Sequence, residues 1–153
     1  MFREMRRKEK QLSNELSMEI LKNAEYGMLS TISSNGYPYV TPLNFVFHNK
    51  SIYFHSAVTG HKIDNIETYD KVSFCVTRNI EILSEKFDTS YESIIIFGKA
   101  HVVEETERDE ALLMLIHKYS KNFLEEGKKY IKKESVATKV VKIEINHITG
   151  KAQ

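Results

Sequence analysis

Short stretches in which apolar and polar residues alternate dominate the chain and predict a β-rich fold. Met28–Ser33 alternates apolar with small polar residues and is followed by Asn35-Gly36. That dipeptide favours the type I′ turn of a β-hairpin, because both central residues of the turn need positive φ. Six strands are predicted in all, over Met28–Ser33, Tyr37–His48, Ser51–His55, Lys71–Arg78, Tyr91–Glu104 and Ser135–His147.

Two of these strands depart from a simple alternating pattern. Pro38 and Pro42 interrupt the second strand, and a proline cannot donate a ladder hydrogen bond. This strand is therefore expected at a sheet edge, or with a bulge near Pro42. Ile94–Phe97 is apolar on both faces, so we expect one face inside a barrel and the other against a helix or a second subunit. Residues 79–90 lack a clear period and are interpreted as a connecting loop.

Helical segments are expected before, between and after the strands. Ser13 or Ser17 is suited to cap the first helix, and Gly27 to end it. Thr59 and Thr106 are expected to cap the second and third helices with their hydroxyl groups. The predicted segments are Met18–Ala24, Gly60–Thr68, Glu107–Tyr119 and the charge-rich Lys121–Glu134.

The order of these elements favours a mainly β fold with peripheral helices. Strands joined by short turns fit a small antiparallel barrel, whereas a parallel sheet would need a helix between successive strands. Residues 1–153 contain no repeat or linker and are interpreted as one domain, with residues 1–12 as a flexible basic arm.

Charge and composition narrow the class of protein. The 22 basic and 21 acidic side chains give a formal charge of +1, which offers no electrostatic reason to expect nucleic acid or an anionic membrane as a partner. No apolar run approaches the roughly 20 residues that span a bilayer, and no apolar core follows the charged first residues as it would in a signal peptide. A cytoplasmic protein is expected.

Cys75, the single cysteine, lies in an apolar strand and is expected to be a buried, inert thiol.

The clearest candidate for chemistry is Thr59-Gly60-His61-Lys62, where a strand and a short loop lead into a helix. A helix start offers unpaired amides and a partial positive charge, to which Lys62 adds a full charge, so the segment could hold a phosphate. A plain capped surface helix is the alternative. The chain has neither a GxxxxGK[ST] nor a GxGxxG motif, which disfavours nucleoside triphosphates and dinucleotides.

Other kinds of site find little support. The six histidines show neither HxH nor HxxxH spacing, so no metal site is expected. No GxSxG motif is present, and the neighbours His55 and Ser56 would point to opposite faces of a strand, which argues against hydrolysis. The aromatic residues lie among aliphatic ones, which disfavours a base-stacking surface for nucleic acid.

Three segments carry a family resemblance. Tyr39–Phe45, Ile52–Ala57 and Gly60–Lys62 together resemble the flavin-binding split barrels of the pyridoxamine 5′-phosphate oxidase superfamily, most closely its nitroimidazole-resistance (Nim-type) branch. The resemblance implies a six-stranded antiparallel split β-barrel of the FMN-binding type. It also implies a homodimer with FMN at the subunit interface.

The same resemblance assigns roles to individual residues. His61 and Lys62 would hold the FMN phosphate, His55 and Ser56 would touch the ribityl chain or phosphate, and Ser93 and Lys151 would reach the flavin from the other subunit. The full implied cofactor-binding set is Val40, Thr41, Pro42, Leu43, Asn44, His55, Ser56, Ala57, Gly60, His61, Lys62, Ser93 and Lys151. Within it, the segment from Val40 to Asn44 would lie along the isoalloxazine ring.

The implied activity is that of an FMN-dependent oxidoreductase, related to nitroreductases, which passes electrons from NADH or NADPH to a small organic acceptor such as a nitro-aromatic compound. His55 would be its proton donor. His61 stands where the oxidase often presents an arginine, and the chain contains no tryptophan, so oxidation of vitamin B6 is not expected. A non-catalytic flavin- or haem-binding protein on the same barrel is the alternative, because fold alone does not decide turnover.

Overall fold

A single antiparallel sheet of seven strands forms the body of the protein in the computed structural model, which describes residues 1–153. The strands are β1 Gly27–Ile32, β2 Pro38–Leu43, β3 Val46–His48, β4 Ser51–Ala57, β5 Lys71–Leu83, β6 Asp88–Val103 and β7 Thr138–Ala152. They are arranged in the order β2-β1-β5-β6-β7-β4-β3. The predicted fold class, an antiparallel barrel with peripheral helices, is confirmed, with seven strands in place of six.

The additional strand arises where the chain closes the barrel. β2 and β3 lie at opposite edges of the sheet, yet only Asn44 and Phe45 separate them along the chain. The sheet therefore curls until its two edges meet at this break. The predicted strand Tyr37–His48 is split here, because its first half pairs with β1 and its second half with β4. Pro42 keeps regular register with Met28, so the bulge expected at Pro42 is wrong, while the edge position expected for this strand is right.

The chain also forms four α-helices: α1 Asn14–Asn23, α2 His61–Thr68, α3 Glu105–Tyr119 and α4 Leu124–Glu134. Ser13 caps α1, as predicted, by accepting a hydrogen bond from the Leu16 amide at 3.2 Å. None of the four helices is both long and apolar enough to cross a membrane.

Two predicted helix ends are wrong. Gly27 does not end α1 but begins β1, where a Cβ would lie 2.2 Å from the ring of Phe74, so close packing requires a glycine. Thr106 does not cap α3, because the helix already begins at Glu105.

The connecting loop predicted over residues 79–90 is also wrong. β5 continues to Leu83 and β6 begins at Asp88, so the two strands form one long hairpin that turns at Ser84–Lys86. A bulge between Arg78 and Glu81, with Asn79 at φ 52°, interrupts the alternation of side chains there. β7 is also longer than predicted and ends at Ala152.

Two hydrophobic clusters hold the layers together. The larger fills the barrel and includes the fully buried rings of Phe45, Phe54 and Phe74, of which Phe45 and Phe74 meet edge to face at 4.9 Å. The smaller joins the other side of β4, β6 and β7 to α3, for example through Tyr53 and Leu112. Burial of these side chains is the main favourable term of folding.

No helix covers the face of β1, β5 and β6 that points away from the barrel core. Met28, Cys75 and Ile95 lie side by side on this face in direct register, and Val40 and Phe97 belong to the neighbouring row. We call these five residues and the surface around them the outer sheet face. Ile95 and Phe97 are 43% and 42% exposed, so the outer side of Ile94–Phe97 is not buried within the chain as its inner side is. Cys75 is half-buried, and burial raises the pKa of its thiol.

The N-terminal arm packs against one end of the outer sheet face. The ring of Phe2 stacks on the rings of His147 and Phe97, with distances of 4.7 and 5.5 Å between the ring centroids. Gln11 forms an isolated bridge with Lys151. The arm is thus fastened to β6 and β7 at two places.

Candidate functional site

Gly60 shapes the start of α2. Its φ of 143° and ψ of 164° lie in a region that essentially only glycine adopts. This conformation lets the Gly60 carbonyl accept hydrogen bonds from the amides of Ile63 and Asp64, both at 3.0 Å. Gly60 is therefore the N-cap residue. The cap predicted for Thr59 is wrong, because no side chain caps this helix.

The first two amides of α2 remain free. Those of His61 and Lys62 donate no backbone hydrogen bond, and they point out at the positive end of the helix dipole. The Lys62 ammonium adds a full positive charge beside them. An exposed helix start with two free amides and a cation is suited to bind a phosphate group.

A polar cluster joins this helix start to β1 and β2. His61 Nε2 lies 2.9 Å from Ser33 Oγ, and the imidazole lies against the ring of Tyr39, with the ring centroids 4.0 Å apart and the planes tilted by 31°. One turn further along α2, the buried Asn65 donates to Thr31 Oγ1 at 2.9 Å. The structure thus brings together two segments, at β2 and α2, that lie about twenty residues apart in the sequence.

Edge strand β2 presents a buried polar atom without a partner. Val40 and Pro42 are exposed, whereas Tyr39, Thr41 and Leu43 turn their side chains inward. Thr41 Oγ1 is buried and forms no hydrogen bond. A buried hydroxyl without a partner is unfavourable, so a polar ligand along β2 would stabilise this strand. The unpaired hydroxyl fits the proximity of a flavin that the sequence predicts for Val40–Asn44.

His55 and Ser56 lie on opposite sides of β4, as the alternation of a strand requires. Ser56 is buried on the barrel side, whereas His55 faces α3 and α4, lines a cavity there and stays partly open to solvent. Partial burial lowers the pKa of His55, and the charge of Lys62 lowers it further. The imidazole is therefore neutral at pH 7. The two residues cannot contact the same group of a ligand from the same side.

Side chains from the end of α3 secure the break between β2 and β3. Tyr119 Oη accepts from the Phe45 amide at 3.0 Å and donates to the Glu25 carbonyl at 2.6 Å. Lys118 Nζ donates to the carbonyls of Ala24 and Phe45 at 2.6 and 2.8 Å. Burial lowers the pKa of Lys118 to about 8. These contacts fix Asn44 and Phe45, the two residues at which the barrel closes.

Ser93 and Lys151 lie elsewhere. They pair with each other across β6 and β7, on the outer sheet face, and Lys151 Nζ donates to Tyr91 Oη at 2.6 Å. No hydrogen bond or ring contact joins either residue to the start of α2. Within one chain the structure therefore brings together the residues of β2, β4 and α2, but not these two.

Several members of this polar cluster are not among the residues predicted from the sequence. Thr31, Ser33 and Asn65 are small polar residues on faces that are otherwise apolar, which is a signal visible in the sequence. Tyr119 gave no such signal, because its hydroxyl acts on residues more than seventy positions away.

A curled antiparallel sheet that is split between β2 and β3 defines the chain as a split barrel. The family model described as pyridoxamine 5′-phosphate oxidase matches residues 13–152. The chain therefore belongs to the pyridoxamine 5′-phosphate oxidase family, and the resemblance noted in the sequence is confirmed. No curated protein sequence matches the chain at a significant level.

Solved structures share this fold. A candidate 5-nitroimidazole antibiotic resistance protein from Bacteroides thetaiotaomicron is 23% identical, with a TM-score of 0.75 over 93% of this chain and 86% of its own. A conserved hypothetical protein from Mycobacterium tuberculosis is 17% identical, with a TM-score of 0.84 over 97% and 90%. An FAD and haem binding protein from Mycobacterium smegmatis is 18% identical, with a TM-score of 0.82 over 94% and 73%. At these identities the likeness establishes the fold alone.

Proposed function

We propose that the protein is a flavoprotein that binds FMN and passes electrons from NADH or NADPH to a small organic acceptor such as a nitro-aromatic compound. The observation that carries this proposal is the start of α2, where the two free amides of His61 and Lys62 lie beside edge strand β2. Membership of the pyridoxamine 5′-phosphate oxidase family supports a flavin as the ligand of such a site.

The residues present fit the two ends of FMN. The free amides and the Lys62 ammonium would bind the phosphate, with the His61 imidazole beside them. β2 would lie along the ring system, because an edge strand has unpaired main-chain groups and Thr41 has an unpaired hydroxyl. When bound, the flavin would supply the redox chemistry, and the chain would supply binding and orientation.

The size of the anion site favours FMN over FAD. Two free amides and one lysine are enough for one phosphate group, and neither Tyr39 nor Ser33 adds a positive charge for a second. The FAD and haem binding protein from M. smegmatis shares the fold, so FAD and haem are the alternatives to be tested against FMN.

His55 would act near the flavin through a hydrogen bond rather than as a strong acid. Its lowered pKa keeps the imidazole neutral at pH 7, so it would donate or accept a hydrogen bond there. Any transfer of a proton from His55 would grow more important as the pH falls through its pKa.

A homodimer completes the proposal. Met28, Val40, Ile95 and Phe97 expose 42% to 57% of their surface on one continuous sheet face, and contiguous apolar surface of this kind marks an interaction site. Ser93 and Lys151 lie on the same face, so a partner subunit docked there would bring its own copies of these residues toward the flavin. The proposed cofactor site would then be shared between two chains.

The absorption spectrum of the purified protein tests the proposal. We expect flavin bands, uptake of added FMN in preference to FAD, and bleaching of the flavin by NADH or NADPH without oxygen. A Soret band in place of flavin bands would support haem binding, and a flavin that neither nucleotide reduces would support a non-catalytic binder. A colourless protein that takes up no FMN would overturn the proposal.

A further inference from the structure

A cavity of about 210 Å³ lies between α3, α4 and the end of β4. Leu112, Leu115, Ile116 and Ile131 provide its apolar wall. Leu112 and Leu115 belong to the smaller hydrophobic cluster, and Ile131 packs against it. The cavity is therefore an opening in a packed apolar layer, distinct from the polar cluster at the start of α2. We call it the α3–α4 cavity.

The α3–α4 cavity reaches the proposed flavin site at two residues. Asn44, directly after β2, and His55, near the end of β4, both line it, and both belong to the predicted cofactor-binding set. Tyr119 lines it as well and is held by the main chain of Glu25 and Phe45. A molecule in this cavity would thus lie next to the strand along which the flavin ring is proposed to bind.

The charges of the cavity disfavour an anion. Glu134 is the only carboxylate in its wall, and no lysine or arginine lines it. Lys118 is the neighbour of Tyr119, but its amine points to the carbonyls of Ala24 and Phe45. A phosphate or carboxylate in the cavity would lose its hydration without gaining a positive partner, which is strongly unfavourable.

The volume sets the size of the ligand. An apolar cavity of about 150 Å³ in another protein holds one benzene molecule, whereas drug-sized ligands need about 300 Å³ or more. A space of about 210 Å³ therefore fits one aromatic ring with one or two small substituents. Asn44 and His55 offer hydrogen bonds to a polar substituent at the end nearest β2.

We propose that the α3–α4 cavity binds a small, neutral, single-ring aromatic molecule and excludes anionic analogues of the same size. Its role as the acceptor pocket rests on the proposed flavoprotein function, whereas the binding itself does not require the flavin. The substrate class of the proposed enzyme would then be neutral aromatics without a phosphate group.

Nitrobenzene and 4-nitrobenzoate test this proposal by NMR on the full chain with ¹³C-labelled methyl groups, with the neutral 4-nitrobenzamide as the control that matches 4-nitrobenzoate in size. We expect contacts from the ring protons of nitrobenzene to the methyls of Leu112, Leu115 and Ile131. We also expect at least tenfold weaker binding of 4-nitrobenzoate. Contacts to methyls elsewhere, no saturable binding, or equal affinity for the two probes would overturn the proposal. These measurements use the unaltered protein, so they do not depend on whether a variant folds.

Two variants and a control sharpen the test. Glu134→Gln should narrow the difference in affinity between nitrobenzene and 4-nitrobenzoate, because it removes the only carboxylate of the wall. Ile131→Phe should fill the space and weaken nitrobenzene binding at least tenfold. Leu113→Phe enlarges a half-buried side chain of α3 that does not line the cavity, so it should have no effect on either probe. Equal effects of the two phenylalanine variants would contradict the assignment.

Titration with FMN separates this proposal from the proposed function. A protein that binds FMN but shows no contact of nitrobenzene with the cavity methyls overturns the cavity proposal alone. Contacts at those methyls without any FMN uptake support the cavity and overturn the flavoprotein.

Discussion

Lys62 is the single charged side chain on which binding of the proposed phosphate depends most. Replacing it with alanine should weaken FMN binding about 10- to 100-fold, because a charge-assisted hydrogen bond contributes about 1.5–3 kcal/mol. Fluorescence titration of the apoprotein measures this change. Lys22→Ala, on the exposed side of α1, is the matched control and should leave the affinity unchanged. An unaltered affinity in Lys62→Ala would show that the phosphate lies elsewhere.

The pKa of His55 is sensitive to the charge of Lys62. Its pKa in the folded protein is lowered first by burial and then by the charge of Lys62. We therefore expect a midpoint below the ordinary value of about 6.5 in an NMR titration of the His55 ring protons. Lys62→Ala should raise this midpoint but leave it below 6.5, since burial remains.

The same shift predicts the sign of a pH effect on stability. A histidine whose pKa is lowered on folding binds fewer protons in the folded than in the unfolded state, so the free energy of unfolding falls as the pH drops from about 6.5 through the folded pKa. In His55→Gln this part of the pH dependence should disappear. A His55 midpoint at or above 6.5 would contradict both expectations.

At the scale of single residues, the sequence predicted which residues lie at the candidate site better than it predicted their conformations and contacts. The pattern around Gly60, His61 and Lys62 was enough to predict a helix start with a cation beside it, because helix starts follow local rules. It could not show that glycine rather than Thr59 caps the helix, since this depends on a backbone φ of 143°. Nor could it find the unpaired hydroxyl of Thr41, which depends on what packs around edge strand β2.

At the scale of elements, the start of α2 is the most sensitive point of the site. Gly60→Ala should lower the free energy of unfolding by about 1–3 kcal/mol, because alanine is strained at this φ and ψ. It should also weaken FMN binding, since relief of the strain would turn the free amides away from the phosphate. Urea denaturation and flavin titration measure the two effects.

Thr59→Ala is the matched control for that change. Thr59 makes no capping hydrogen bond, so its replacement should alter stability by no more than about 0.5 kcal/mol. A larger loss in Thr59→Ala than in Gly60→Ala would favour the cap first expected from the sequence over the one in the structure.

The two wrong strand predictions have one physical cause, which is that strand pairing depends on distant segments and on backbone conformation. Local alternation identifies a strand, but Asn79 at φ 52° adds a residue to β5 and breaks the period where the hairpin begins. The stretch beyond it was therefore interpreted as a loop. The division of Tyr37–His48 into β2 and β3 was equally hidden, because it depends on pairing with β1 on one side and β4 on the other. Such pairings between distant segments leave no local mark in the sequence.

At the scale of the whole molecule, the same strands contribute alternate side chains to the barrel core and to the outer sheet face. Ile94 and Ile96 are fully buried in the barrel core, while Ile95 and Phe97, which alternate with them along β6, are exposed. A strand apolar on both faces was predicted to meet a helix or a second subunit. No helix covers Ile95 and Phe97, although the ring of Phe2 stacks on Phe97. The second subunit of the proposed homodimer is the explanation that we favour for this pattern.

Ile95→Asp tests that explanation. A carboxylate at the centre of the outer sheet face would be desolvated in a dimer but remain hydrated in a monomer, so it should shift the protein to the monomer. Sedimentation velocity measures the change. Val136→Asp places the same charge on a side chain that is 85% exposed and lies away from this face, so it should leave the oligomeric state unaltered.

The flavin content of the Ile95→Asp protein decides where the cofactor site lies. If the partner's residues complete the site, the monomer should fold with unchanged far-UV circular dichroism but bind FMN more weakly than the wild-type protein. If the monomer keeps full affinity, the start of α2 and edge strand β2 are sufficient within one chain, and Ser93 and Lys151 have no part in binding. If Ile95→Asp remains a dimer, the subunits meet elsewhere, and the apolar side chains of the outer sheet face need another partner.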